Sequence, residues 1–149
     1  MKMLSPFSRL LPLFALLLVA APVLGQAPAA QPTVGQRMPV PGGAYWEITV
    51  PQLQSMLTQK DFPLINVHVP FNGDIPLTDL SIPFDQILAH LNELPADKNA
   101  PVVLYCQSGP MGVRAASALA GQGYTRIYNL QGGFRAWGAA GLPMATPAN

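Results

Sequence analysis

The 149 residues include a single cysteine, Cys106, and only 10% are charged. One cysteine excludes an internal disulfide, so Cys106 is either free or bridged to another chain. The sparse charge contains no polybasic run, which argues against nucleic acid or an anionic membrane surface as partner. No internal repeat occurs, and the length suits one ordinary domain with a short appendage rather than two cores.

What is abundant is apolar surface, and it is concentrated at the start. Lys2 and Arg9 precede the run LLPLFALLLVAAPVL from Leu10 to Leu24, which Pro12 and Pro22 interrupt and which Gly25, Gln26 and Ala27 follow. A positive start, a short apolar middle and a small-residue end describe a secretory signal peptide over residues 1–25, cleaved after Gly25 or Ala29. The run falls short of the roughly 20 apolar residues of a membrane span, so no stable membrane insertion is expected after cleavage. A lipid anchor would need a cysteine at that junction, and the only one is Cys106. The mature chain is therefore expected in the periplasm or outside the cell. Without Lys2 and Arg9 it carries six basic residues against seven acidic ones. Residues 26–43, QAPAAQPTVGQRMPVPGG, are too rich in Pro, Gly, Ala and Gln for a core and read as a linker.

From residue 44 onward, strand-like and helix-like segments alternate. Tyr45 to Ile48 reads as a strand, and Thr49 with Gln52 forms a capping box that opens a helix bearing Leu53, Met56 and Leu57. LINVHV, from Leu64 to Val69, reads as a buried strand, and Pro70 to Pro83 as a surface loop. Phe84, Ile87, Leu88, Leu91 and Leu94 recur at helical spacing. PVVLY, from Pro101 to Tyr105, is a short β-branched and aromatic strand that runs into Cys106. Val113 to Gly121 is an alanine-rich helix, Arg126 to Leu130 a strand, and Gly133 to Ala140 a last helix stopped by Gly141 and Pro143. This alternation implies an α/β fold with a small parallel sheet flanked by helices on both faces.

In such folds ligands bind beyond the carboxyl ends of the strands, where Cys106 stands. The loop that follows comprises Gln107, Ser108, Gly109, Pro110, Met111 and Gly112. Its two glycines let backbone N–H groups turn inward, and the helix behind adds unpaired N–H groups and the positive end of its dipole. An anion at the loop centre is stabilised, so Cys106 is expected to be reactive. A buried cysteine acting as a small hydrophobe is the plainer alternative.

YCQSGPMGVRAASAL followed by GYTRIYNLQGGFRAWGAAGLP resembles the second half of single-domain rhodanese sulfurtransferases over roughly residues 101–143. The first half agrees more loosely, through ITVPQL, LINV and LNELP. The resemblance implies a rhodanese-like domain over residues 44–149, with Cys106 as catalytic residue. In that family the cysteine accepts a sulfane sulfur from a small donor as a persulfide held by the loop amides, then yields it to cyanide or a thiol, including a protein thiol. No cofactor is implied.

Three departures from the family pattern stand out. LIDVR becomes LINVH, which puts Asn66 and His68 at the site wall, and GHIPGA becomes GDIPLT from Gly73 to Thr78. The loop carries Gln107 and Met111 but no cationic side chain, so a thiosulfate dianion is expected to be a poorer donor than an uncharged organic one. A tyrosine-phosphatase reading needs arginine six residues after the cysteine, where Gly112 stands. Arg114 falls on the following helix as a solvated position. His68, Cys106 and Met111 are all ligand types for copper, but no close ligand pair occurs and no metal is assigned. His90 and Trp137, the latter with Phe134 three residues before it, read as structural. Alongside the sulfurtransferase stands a second reading, a non-catalytic module of the same fold for partner binding, redox sensing or copper capture.

Overall fold

The computed structural model describes residues 34–145; the expected signal peptide and the first part of the expected linker lie outside the described residues. Six strands form one sheet: β1 (Gln36–Val40), β2 (Gly43–Ile48), β3 (Leu64–Asn66), β4 (Leu80–Ser81), β5 (Val102–Tyr105) and β6 (Ile127–Leu130). Their spatial order is β1-β2-β6-β5-β3-β4. The helices are α1 (Val50–Leu57), α2 (Pro110–Gly121) and α3 (Gly133–Ala139), with a 3₁₀ segment over Ile87–Glu93.

The pairings from β2 to β4 are parallel, as expected, but β1 is antiparallel to β2, so the sheet is mixed. This corrects the reading of residues 26–43 as a linker throughout. Pro41 and Gly42, the latter at φ 85°, turn the chain so that Gln36 pairs with Glu47 and Val40 with Gly43. A proline strand passes for a linker in sequence, yet Pro39 is tolerated because β1 lies at the sheet edge, where a missing N–H costs no ladder bond.

Side chains leave the central strands on alternate faces. Val102, Leu104 and Cys106 join Tyr45, Ile127 and the α2 residues Ala115, Ala116, Leu119 and Ala120 in one core, with Ile87 and Leu94 of the 3₁₀ region. Val103 and Tyr105 join Trp46, Ile48, Leu53, Leu130, Phe134 and Trp137 in the other, beneath α1 and α3. Helices thus cover both faces. Trp137 is core, as expected, and its Nε1–H donates to Pro143 O at 2.9 Å. The capping box forms, with Thr49 N–H on Gln52 Oε1 at 2.8 Å.

Several boundaries differ from the sequence reading, and the strand expected over Leu64–Val69 ends at Asn66. Of the periodic segment Phe84–Leu94 only Ile87–Glu93 winds, as a 3₁₀ segment with non-helical backbone at His90, whose Nδ1 lies 2.6 Å from Glu93 Oε1. The loop from Pro70 to Pro83 contains the two-residue strand β4. Helix α2 begins at Pro110, three residues before the expected start, because proline suits the first helical position, where an N–H has no intrahelical partner.

Candidate active site

Strand β5 ends at Tyr105, and Cys106 is the next residue, at the carboxyl edge of the sheet. Its side chain is only 1% exposed and borders the α2-side core, yet Sγ accepts the Gly109 N–H at 3.0 Å. The sulfur therefore faces its own loop. Gly109 has φ 120°, a conformation open to glycine, and this turns its N–H inward. Cys106 forms no disulfide within the chain.

The early start of α2 changes what the loop residues do. Gln107 and Ser108 remain loop, whereas Met111 and Gly112 sit in the first helical turn, before the first bond from Val113 N–H to Gly109 O. Their N–H groups are therefore helix-terminal donors, while Pro110 has none to give. Met111 is partly buried against the α2-side core. Gly112 does not bend the loop; its missing side chain makes room for Asn129, whose Oδ1 would lie 1.9 Å from a Cβ there.

The rear of the loop is fixed by α3. Phe134 N–H donates to Cys106 O at 2.9 Å and Arg135 N–H to Gln107 O at 3.0 Å. On the β3 side, where Tyr105 leads into Cys106, a second network is made of side chains. Asn66, buried at the end of β3, donates through Nδ2 to Gly73 O at 3.0 Å and Asp74 Oδ1 at 2.9 Å, and accepts the His68 N–H. Tyr105 O–H donates to the same Asp74 oxygen at 3.0 Å and accepts the Ile75 N–H at 3.1 Å, with Thr78 Oγ1 2.7 Å away. Burial pushes the Tyr105 hydroxyl well above its ordinary 10.0, an effect that the Thr78 and Ile75 hydrogen bonds oppose and the Asp74 charge reinforces. Asn66 is thus a brace for the wall, fully engaged with protein. His68 lies past the end of β3, edge-on to Phe134 with ring centroids 5.6 Å apart, and its buried Nδ1 has no hydrogen-bond partner among the described residues. Through Phe134 it reaches the flank of the cysteine loop.

Arg114 is exposed, with its guanidinium 4.5 Å over the Phe84 ring, yet it also lines a groove bordered by Ser108, Gly109 and Pro110. Among the described residues no three His, Cys, Asp or Glu side chains converge to hold a metal ion, and no helix is long and apolar enough to cross a membrane. Sequence reading missed Asp74, Tyr105, Glu47 and Asn129. The signal for Asn129 was a polar residue inside the apolar strand IYNL; the fold makes it the parallel neighbour of Glu47, whose Oε1 accepts its Nδ2–H at 3.0 Å.

Comparison with known proteins agrees with this geometry. The Rhodanese-like domain matches over residues 64–140. A sulfurtransferase of Allochromatium vinosum is 36% identical over 97 residues, which cover 63% of this chain and 88% of that protein. Among solved structures, a rhodanese-like domain protein from Staphylococcus aureus aligns with a TM-score of 0.56 at 29% identity, over 67% of this chain and 98% of that one. The human single-domain sulfurtransferase TSTD1 aligns with a TM-score of 0.56 at 26% identity, over 62% and 95%. The match spans the whole of the cysteine loop, both walls around it and the strands that carry them, and this chain belongs to the rhodanese-like family.

Proposed function

We propose that this chain is an exported sulfurtransferase that carries sulfane sulfur as a persulfide on Cys106. The observation that supports it most is the 3.0 Å bond from Gly109 N–H to Cys106 Sγ, which turns the sulfur toward the backbone at a helix start. In the first half-reaction the Cys106 thiolate attacks the outer sulfur of a sulfane donor. The donor's S–S bond breaks, its electron pair leaves with the remainder, and Cys106 gains one sulfur. In the second, an acceptor thiolate or cyanide attacks that sulfur and Cys106 departs as thiolate. The loop N–H groups stabilise the negative sulfur in both states.

The absence of a cation among Gln107 to Gly112 favours uncharged organic donors over thiosulfate. The non-catalytic module remains the competing reading, favoured by the 1% exposure of Cys106, which leaves little sulfur surface for a donor. Intact-protein mass spectrometry after exposure to a sulfane donor separates the two. A gain of one sulfur in the wild type, absent in Cys106→Ser and reversed by cyanide or a thiol, is the expected result. A wild-type thiol that alkylates yet never gains sulfur would overturn the proposal. Export rests on the pattern of residues 1–25, and N-terminal sequencing of periplasmic or secreted material tests it.

A further inference from the structure

A groove of about 580 Å³ borders the cysteine loop. Ser108 and Gly109 form one side, Val113 and Arg114 of α2 continue it, and Met38 and Glu47 close it from the β1–β2 hairpin. Gly109 is also the residue whose N–H holds Cys106 Sγ, so the groove and the sulfur share a wall. Met38 and Glu47 precede residue 64, where the family match begins, so this side of the groove comes from outside the matched segment.

The charge in this groove is specific. Glu47 is its acidic lining residue, half-buried and held at Oε1 by the fully buried Asn129. The nearby Tyr45 hydroxyl is pushed upward first by burial and then by the Glu47 charge. The one cation in the lining, Arg114, is exposed to water and stacked on Phe84, so its field is screened. With Met38 and Val113 the groove therefore offers an apolar floor and one positioned carboxylate. That combination suits a small cation with a short hydrocarbon body and disfavours an anion.

We infer that this groove seats the sulfur acceptor and that Glu47 selects a small thiol carrying a primary ammonium group. The inference rests on the sulfurtransferase reading and adds the acceptor's chemical class. In the step it serves, the aminothiol's thiolate attacks the outer sulfur of the Cys106 persulfide. The S–S bond breaks, its electron pair returns to Cys106 as thiolate, and the acceptor leaves as its own persulfide. Glu47 takes no part in bond making; it is a specificity-determining residue.

Two measurements test it. In the first, the persulfide form is mixed with cysteamine, 2-mercaptoethanol or 3-mercaptopropionate, and each rate is corrected for the fraction of thiol ionised. In wild type the cationic thiol is expected to outpace the anionic one, and Glu47→Gln, which keeps an oxygen for Asn129, to shrink that ratio by about threefold to tenfold, with the neutral thiol as the reference within each protein. In the second, the resting thiol is labelled with aminoethyl, methyl and sulfonatoethyl methanethiosulfonates. Cys106 attacks the sulfenyl sulfur and releases methanesulfinate, a reaction that needs no sulfur turnover and, with one cysteine in the chain, has a single product site. The aminoethyl to sulfonatoethyl ratio is expected to fall in Glu47→Gln. Should that variant not fold, the wild-type ratio is expected to fall between low salt and about 1 M salt, where the screening length shrinks to about 3 Å.

A persulfide that forms normally but transfers with a charge ratio indifferent to Glu47 and to salt overturns the inference and leaves the sulfurtransferase reading intact. A chain that never forms the persulfide overturns that reading, and the acceptor role with it.

Discussion

The two networks on either side of the β5 end, where the cysteine loop begins, are built from different materials. The rear wall is backbone: α3 donates the N–H groups of Phe134 and Arg135 to the carbonyls of Cys106 and Gln107. The front wall is side chain: Asn66, Asp74, Tyr105 and Thr78, drawn from three separate segments, share hydrogen bonds around one aspartate oxygen. A backbone wall depends on chain path and tolerates most side chains except where one would fill the contact. A side-chain wall depends on residue identity and on protonation. The rear should therefore fail by steric intrusion and the front by loss of an acceptor or by titration.

The largest effect is expected at Gly133, which has φ 56° and whose added Cβ would lie 2.0 Å from Cys106 O and 2.6 Å from the Gln107 carbonyl carbon. Both neighbours are backbone and cannot swing aside. Gly133→Ala should cost about 3 kcal/mol or more and displace the loop. Urea denaturation, with the rate of Cys106 alkylation as a local probe, checks this; a variant with wild-type stability and reactivity would show that the rear wall is not rigid.

In the front wall, Asp74→Ala removes the acceptor shared by Asn66 and Tyr105, and also a longer 3.3 Å contact from Ser81. It should cost about 1–3 kcal/mol, since buried donors are left unpaired. Denaturation midpoints should place this loss below that of Gly133→Ala.

Tyr105 supplies a pH handle that the rear wall lacks. Its hydroxyl ionises above 10.0 in the fold and at the ordinary value in the unfolded chain, so the unfolded state gives up this proton first. Its contribution to stability is complete below about pH 10 and is lost as pH rises through the folded value. Thermal melts should show a falling alkaline limb that is shallower in Tyr105→Phe, which in turn loses about 1 kcal/mol at neutral pH for the missing bond to Asp74. Equal alkaline slopes in the two proteins would assign the limb to other groups.

The smallest effect is expected at Leu77, which is 60% exposed and holds φ 68° in the front loop. Left-handed backbone costs a leucine roughly 1–2 kcal/mol, and glycine's extra unfolded-state entropy offsets up to about 1 kcal/mol. Leu77→Gly should therefore stabilise by up to about 1 kcal/mol, measured by the same denaturation. A loss instead would mean that the exposed side chain makes a contact worth more than the strain.

The same contrast explains which parts of the site could be read in advance. PVVLY ending at Cys106, the glycine-bearing loop and QGGF all announced themselves, because a strand, a turn and a helix start each have local residue rules. Local rules misled where context overrode them. Residues 36–43 look like linker by composition, yet they are a hairpin because the sheet edge accepts Pro39. The apolar spacing of Phe84–Leu94 suggests an α-helix, yet the chain winds as a 3₁₀ segment broken at His90. Met111 reads as part of the loop and instead sits in the first turn of α2, packed against the core.

By itself the sequence determined most of the strand and helix alternation after residue 44, the single cysteine and its place after a central strand, since hydrophobic period, turn residues and a lone cysteine are properties of neighbours in the chain. Only the tertiary structure decided that Asp74 would join Asn66 to Tyr105 and that Glu47 would meet Asn129 beside the cysteine loop. Those groups lie 31 and 82 positions apart, for Tyr105 with Asp74 and for Asn129 with Glu47. Nothing local links them. The parallel register of the sheet sets Asn66 beside Tyr105 and Glu47 beside Asn129, and that register is fixed by burial of two apolar faces whose energy depends on the whole fold.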